Sequence, residues 1–289
     1  MRANRRLTIQ ALIVAAYLAG AAAAGAAPQA SELDRVFAKL YSYDFAGAHA
    51  ILDQEAAARP DDPLVHAVRG AAYLFAEFDR QHVLEFAFFE NDDKVTDQRK
   101  LRPDPVVRER LFGTTAQAKK LGLARLDTDP YDRNALFAVL MAQSTEADYI
   151  GLVEKRYFRT YLASRDTQKY ARRALALDPP LYDAYLSVGA AEYIVGSLNF
   201  FFRLFVRLEK IEGDKAKAIS DLQVVVQKGR YYGPYAKILM AAVHLREKRP
   251  QQALVLLREL SAEFPENPLF PREIARAEEK VRLSSAKAR

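Results

Sequence analysis

The chain has 289 residues, half of them apolar, with 43 basic side chains against 37 acidic ones and neither cysteine nor tryptophan. A net charge of +6, spread along the sequence, is no nucleic-acid footprint, and the lack of cysteine excludes a disulfide framework and a thiol nucleophile. A body of this size buries enough surface to stand without such staples.

In chain order, the first element is a leader. Arg2, Arg5 and Arg6 precede a nearly unbroken apolar run from Leu7 to Leu18, and small residues fill Gly20 to Ala26. That succession is expected of a secretory signal peptide over residues 1–26, with Ala24-Gly25-Ala26 as an A-x-A cleavage site and the cut falling within 24–30. An uncleaved anchor is the competing reading, against which the apolar core is short. No cysteine follows the run, which excludes a lipoprotein anchor. Without its three arginines the remaining chain keeps 40 basic against 37 acidic residues. The expected address is the bacterial periplasm.

The rest reads as helix. Apolar residues recur at three and four, Pro and Asp punctuate at long intervals, and no alternating stretch or Asn-Gly turn marks a strand. Leu33, Val36, Phe37 and Leu40 form one stripe. After a break at Ser42 to Phe45, a second runs through Ala48, Ile51 and Leu52 and stops at Arg59-Pro60. Pro63 opens a third helix carrying Gly70 and Tyr73, whose partner is expected over Thr114 to Leu126, ending at Asp129-Pro130. A third pair is expected from Tyr131 to Asp178-Pro179, a fourth from Tyr182 to Gly229, and a fifth from Tyr235 with Ala253 and Pro265. Arg272 to Leu283 is expected to cap the stack, and residues 284–289 to form a disordered tail.

The chain also repeats itself. Ala147-Asp148-Tyr149-Ile150 matches Ala191-Glu192-Tyr193-Ile194, and at the same offset Tyr157-Phe158-Arg159 matches Phe201-Phe202-Arg203. Tyr182-Asp183-Ala184-Tyr185 matches Tyr232-Gly233-Pro234-Tyr235. With alanine twelve residues ahead of a closing proline (Ala48 and Pro60, Ala253 and Pro265) and Gly70 or Gly189 on the first helix, the chain resembles the tetratricopeptide repeat superfamily. The resemblance implies an all-α, right-handed superhelical solenoid of about five helical hairpins over 27–283.

The first and fifth units are close to the ordinary length, while the middle three are longer. Their extra residues are Phe78 to Gly113, roughly Asp148 to Leu162, and roughly Ser197 to Glu212. These inserts are rich in aromatics. Phe201, Leu204, Phe205 and Leu208 share one helical face; Asn199, Arg203, Arg207 and Lys210 share the other. One reading makes the inserts longer first helices packed on their neighbours. The other makes them a binding surface formed by Phe200, Phe201, Phe202, Arg203, Phe205 and Arg207, with Tyr157, Phe158 and Tyr161. Core packing alone accounts for the aromatics and is the preferred reading; the second finds its best support in Phe200 to Phe202, three consecutive rings that cannot all face one core. No stretch after the leader reaches a spanning length, since Arg203 and Arg207 interrupt Leu198 to Leu208.

The aromatic run, the following Gly213-Asp214-Lys215 and a helix ending in Lys228-Gly229-Arg230-Tyr231-Tyr232 are similar to the tetratricopeptide-39 and inclusion-body-clearance proteins over Tyr182 to Leu245. That resemblance implies lipid handling and mitochondrial outer-membrane association; the secretory leader departs from it.

Catalytic chemistry finds no constellation. His49, His66, His82 and His244 are scattered, and only His82 with Glu85 forms a helix-spaced His–carboxylate pair. Asp92 to Asp97 lacks the glycine and the terminal glutamate of a calcium loop. There is no phosphate loop or nucleophile elbow, so no enzyme, metal or cofactor is expected. Some tetratricopeptide domains clamp a carboxylate with Asn and Lys on their first helices. Here the matching positions are Leu33 and Phe37, Ala67 and Ala71, Leu186 and Ala190, Ile238 and Ala242. The expected function is an exported scaffold taking a protein segment in an apolar groove. The alternative is a peripheral membrane or lipid-associated protein using the helix around 199–210.

Overall fold

The computed structural model describes residues 30–85, 101–189 and 215–287, and among them every regular element is helical. The first half holds α1 (Glu32–Tyr41), α2 (Phe45–Ala58), α3 (Pro63–Arg80), α4 (Pro105–Thr128), α5 (Arg133–Asp148) and α6 (Tyr157–Leu175). After a helical stretch at 184–189 come α7 (Lys215–Lys228), α8 (Gly233–Arg246), α9 (Pro250–Glu263) and α10 (Leu269–Lys287). From α1 to α6, and again from α7 to α10, each helix packs against the next, and α3 also packs against α1 and α5. Except between α3 and α4, short links between long apolar stripes leave adjacent helices little choice but to fold back on each other.

Two local devices recur. At the ends of α2, α4 and α9 the N–H groups of Asp62, Asp132 and Asn267 each donate to the carbonyl three residues back, at 3.1 Å. The same three side chains then cap the following helix, accepting from the N–H groups of Leu64, Ala135 and Leu269. The first helices of the hairpins end differently. Tyr43, His82 and Lys248, after α1, α3 and α8, adopt left-handed φ of 64°, 58° and 57°. The next N–H in each case donates five residues back, from Asp44 to Lys39, Val83 to Phe78 and Arg249 to His244. This is the Schellman closure, made here without glycine. Lys155 (φ 56°) closes α5 likewise, one residue wider, because a π-turn at Tyr149–Val153 extends that helix.

Hairpin packing is set by small residues. Ala48, Ala118, Ala218 and Ala253 each stand twelve residues before an inter-hairpin turn position, and all four are fully buried. Gly70 brings α3 onto α4: a Cβ there would lie 2.6 Å from Thr115 Cγ2. A Cβ at Gly189 would lie 3.1 Å from the Ala218 carbonyl oxygen, a similar approach between the 184–189 stretch and α7.

Among the described residues, helix accounts for part of the extra length of the second and third units. α4 starts at Pro105, nine residues ahead of Thr114, because Asp104 accepts from the N–H groups of Val106 and Val107 and Pro105 suits the first turn. Buried Glu77 ties that start to the end of α3: it is paired with Arg80 at 2.7 Å and accepts the Asp104 N–H. In the third unit Tyr149 and Val153 join Leu74, Phe78, Val83 and Leu111 in a core cluster, so this part of the insert is packing. At the far end α10 continues to Lys287, four residues into the stretch read from the sequence as tail.

Candidate functional site

Phe200, Phe201, Phe202, Arg203, Phe205 and Arg207 lie outside the described residues. Tyr157, Phe158 and Tyr161 fall at the start of α6, and Phe158 is 64 % exposed. The nearby π-turn residues are buried, so the third insert divides between core and surface.

The first-helix positions Leu33, Phe37, Ala67, Ala71, Leu186 and Ala242 are all buried. Part of what covers them is the chain itself. The turn between α7 and α8 places the Tyr231 ring between two phenylalanines, 4.8 Å from Phe37 of α1 and 5.7 Å from Phe137 of α5. Tyr232 meets Phe37 edge-on at 5.9 Å, and Tyr235 meets Phe75 of α3 edge-on at 5.4 Å. Burying rings of this size contributes about 1.5–3 kcal/mol each. This turn therefore sits against the same side of α1, α3 and α5.

Asp183 holds the turn. It stands where Asp62 and Asp132 cap their own helices, yet its carboxylate accepts from the N–H groups of Arg230, Tyr231 and Tyr232 at 2.8, 2.9 and 2.7 Å. The residue is 6 % exposed, so three backbone donors satisfy a buried anion and the anion satisfies them. The seam continues to α1: Tyr41 Oη donates to the Tyr231 carbonyl at 2.8 Å, and Asn267 Nδ2 donates to the Tyr41 carbonyl at 2.7 Å. Outside it, the Arg230 guanidinium pairs with both oxygens of Asp34 and lies 4.9 Å over the Tyr231 ring.

Alongside this seam runs a groove of about 360 Å³, between α1 and the α8–α9 hairpin. Its walls carry Asp34, Arg230, Lys237 and Glu263, and its floor includes Tyr41 and Phe264. Lys237 Nζ lies 3.3 Å from Glu259 and 3.5 Å from Glu263, so both walls are polar and of mixed charge. This is within the size range of small-ligand and peptide sites. A second cavity, of about 40 Å³ beside Tyr43, Phe75 and Glu273, has room for a water or two.

The histidines stay apart. His82 Nδ1 is 3.2 Å from Glu85 Oε1 and the His82 side chain is 78 % exposed, while His66 Nε2 meets the Pro60 carbonyl. Burial lowers the pKa of His49 and of His244. Among the described residues no three His, Asp or Glu side chains gather as a metal set, and no described helix is long and apolar enough to cross a membrane.

Sequence reasoning passed over Asp183 and the tyrosine turn. The signal available was positional: Asp183 follows a closing proline as Asp62 and Asp132 do, and three tyrosines crowd Tyr231 to Tyr235 where the other turns have at most two. Compared with known proteins, the chain matches no family model, no curated protein and no solved structure.

Proposed function

We propose that the chain is an exported binding scaffold, a solenoid of about five tetratricopeptide-like hairpins that takes a protein segment in the groove between α1 and the α8–α9 hairpin. The observation that carries this reading is the recurrence of one construction: an Asp or Asn turn after each of α2, α4 and α9, and a left-handed closure after α1, α3, α5 and α8. A stack of like units presents surface rather than one reactive centre. The buried state of Phe37, Ala67 and Ala71 argues against a segment lying along those positions, and the open groove beside Ala38 and Lys237 argues for one lying there.

The leader supports export. The test places a photo-crosslinking residue at exposed Ala38 on the groove, with a second at exposed Val106 on α4 as the control. Irradiation of intact cells is expected to give a discrete protein adduct from Ala38 and none from Val106. Equal adducts from both positions, or none from Ala38, would sink the reading.

A further inference from the structure

Independently of that scaffold reading, we propose that the outer face of α6 docks on an anionic phospholipid bilayer. Positions 158, 162, 165, 169 and 172 follow the three–four spacing of one helical face, and Phe158, Leu162, Arg165, Lys169 and Arg172 are all exposed. The stripe is ordered along the helix: two large apolar side chains, 64 % and 43 % exposed, stand at its start, and three cations follow. α6 carries five basic residues against the single acid Asp166, a larger excess than the whole chain keeps once the leader's arginines are set aside. Among the described helices α6 has the largest excess, with α4 next at five basic against two acidic residues.

The neighbourhood adds to it. At the start of α6 the Arg108 and Arg156 guanidinium groups share the carboxylate of Glu154, at 2.6 and 3.5 Å, leaving one cation in excess there. Arg159 is exposed one position on from Phe158. No ion pair joins Arg165, Lys169 or Arg172 to a described carboxylate.

The arrangement selects a bilayer over other polyanions. Nucleic acid is held by cations along its phosphates with rings interleaved for stacking, and here the rings and cations are segregated. A helix tipped start-first into a membrane interface uses that segregation: Phe158 and Leu162 enter the acyl boundary while the cations further along the same face stay among the lipid phosphates.

The experiment is vesicle co-sedimentation of the full chain, with the leader identical in every sample. Phosphatidylcholine vesicles are compared with vesicles also containing phosphatidylglycerol. Arg165→Gln/Lys169→Gln/Arg172→Gln is expected to lower partitioning onto the anionic vesicles on the order of 100-fold, from roughly fivefold per cation. High salt should weaken wild-type binding in parallel. Phe158→Ser/Leu162→Ser should also lose binding, with its residual binding as salt-sensitive as before. All five side chains are exposed, so circular dichroism and melting should match wild type. Should the triple variant fail to fold, Lys169→Gln alone must still cost about fivefold. Equal partitioning of wild type and the cation variants overturns the proposal. So does tighter retention of the wild type on a single-stranded oligonucleotide than on the anionic vesicles.

Discussion

Replacing Asp183 tests the seam that joins the two ends of the described body. In Asp183→Ala the N–H groups of Arg230, Tyr231 and Tyr232 lose their acceptor at once. Hydrogen bonds to a charged group contribute about 1.5–3 kcal/mol each. Part of that is offset because the folded state no longer desolvates a carboxylate, leaving an expected loss of about 3–5 kcal/mol. For a chain of this size each kcal/mol moves the melting midpoint by about 2–4 °C, so Tm should fall by roughly 10 °C. Asp183→Asn is the sharper comparison. Its side-chain oxygen can replace Oδ1, which serves Tyr231 and Tyr232, while its amide faces the Arg230 N–H beside solvent. That variant should lose about 2 kcal/mol, less than Ala, because the Arg230 N–H loses its acceptor and the other two bonds become neutral. Urea unfolding followed by far-ultraviolet circular dichroism gives the energies, and the near-ultraviolet tyrosine signal reports whether the Tyr231 sandwich loosens. An Ala variant within about 1 kcal/mol of wild type, or Asn as damaging as Ala, would refute the reasoning.

Three further outcomes follow from the packing. Gly70→Ala should cost about 1–2 kcal/mol, because the 2.6 Å approach to Thr115 Cγ2 outweighs the gain of about 1 kcal/mol in helix propensity. Thr115→Ser removes that methyl while keeping the hydroxyl that donates to Glu146, so the double variant should recover stability; strict additivity would show that the two residues do not meet. Tyr231→Ala should cost about 3–5 kcal/mol and couple to Phe37→Ala by about 0.5–1.5 kcal/mol in a double-mutant cycle, and a coupling of zero would remove the stacked pair from the account. Asp148 is partly buried, and that burial pushes the pKa of its carboxyl up to about 7. The folded state then holds a proton that the unfolded chain releases near pH ~4. Wild-type stability should be full below that pH and fall as pH rises through about 7, by at most roughly 4 kcal/mol. Asp148→Asn has no such loss, so its stability relative to wild type should climb between pH ~4 and ~8; a constant difference would count against a buried carboxyl.

Helix positions were legible wherever stripes and caps coincide in the sequence. Leu33 to Leu40, Asp62-Pro63 and the alanines at 48 and 253 mark α1, α3 and the second helices because they report local geometry. The early start of α4 was less visible: Asp104-Pro105 is a cap, but Val106, Arg108 and Arg110 give no continuous apolar stripe ahead of Leu111. The closures at Tyr43, His82 and Lys248 were invisible for a different reason. A left-handed residue is normally sought as glycine or asparagine, and here Tyr, His and Lys adopt it while the helix-end hydrogen bonds hold it. Tyr231 could not be assigned from the sequence either, because Phe37 and Phe137, which enclose it, are nearly two hundred and nearly one hundred residues away.

Those long separations change what kind of stack this is. In an open array of repeats each unit touches only its neighbours, and stability accumulates unit by unit. Here α1 is bonded through Tyr41 to the turn after α7 and to the turn after α9, and Asp34 pairs with Arg230. The first hairpin is thus a neighbour of the last ones, and the apolar side that α1, α3 and α5 would otherwise present is covered by Tyr231, Tyr232 and Tyr235. Closure of this sort exchanges an inner binding face for rigidity. The two proposed binding surfaces, the groove beside Ala38 and the outer stripe of α6, are ones that closure does not consume. The stripe faces away from the tyrosine seam's requirements altogether: none of Phe158, Leu162, Arg165, Lys169 and Arg172 is buried, so their chemistry can be altered without opening the body.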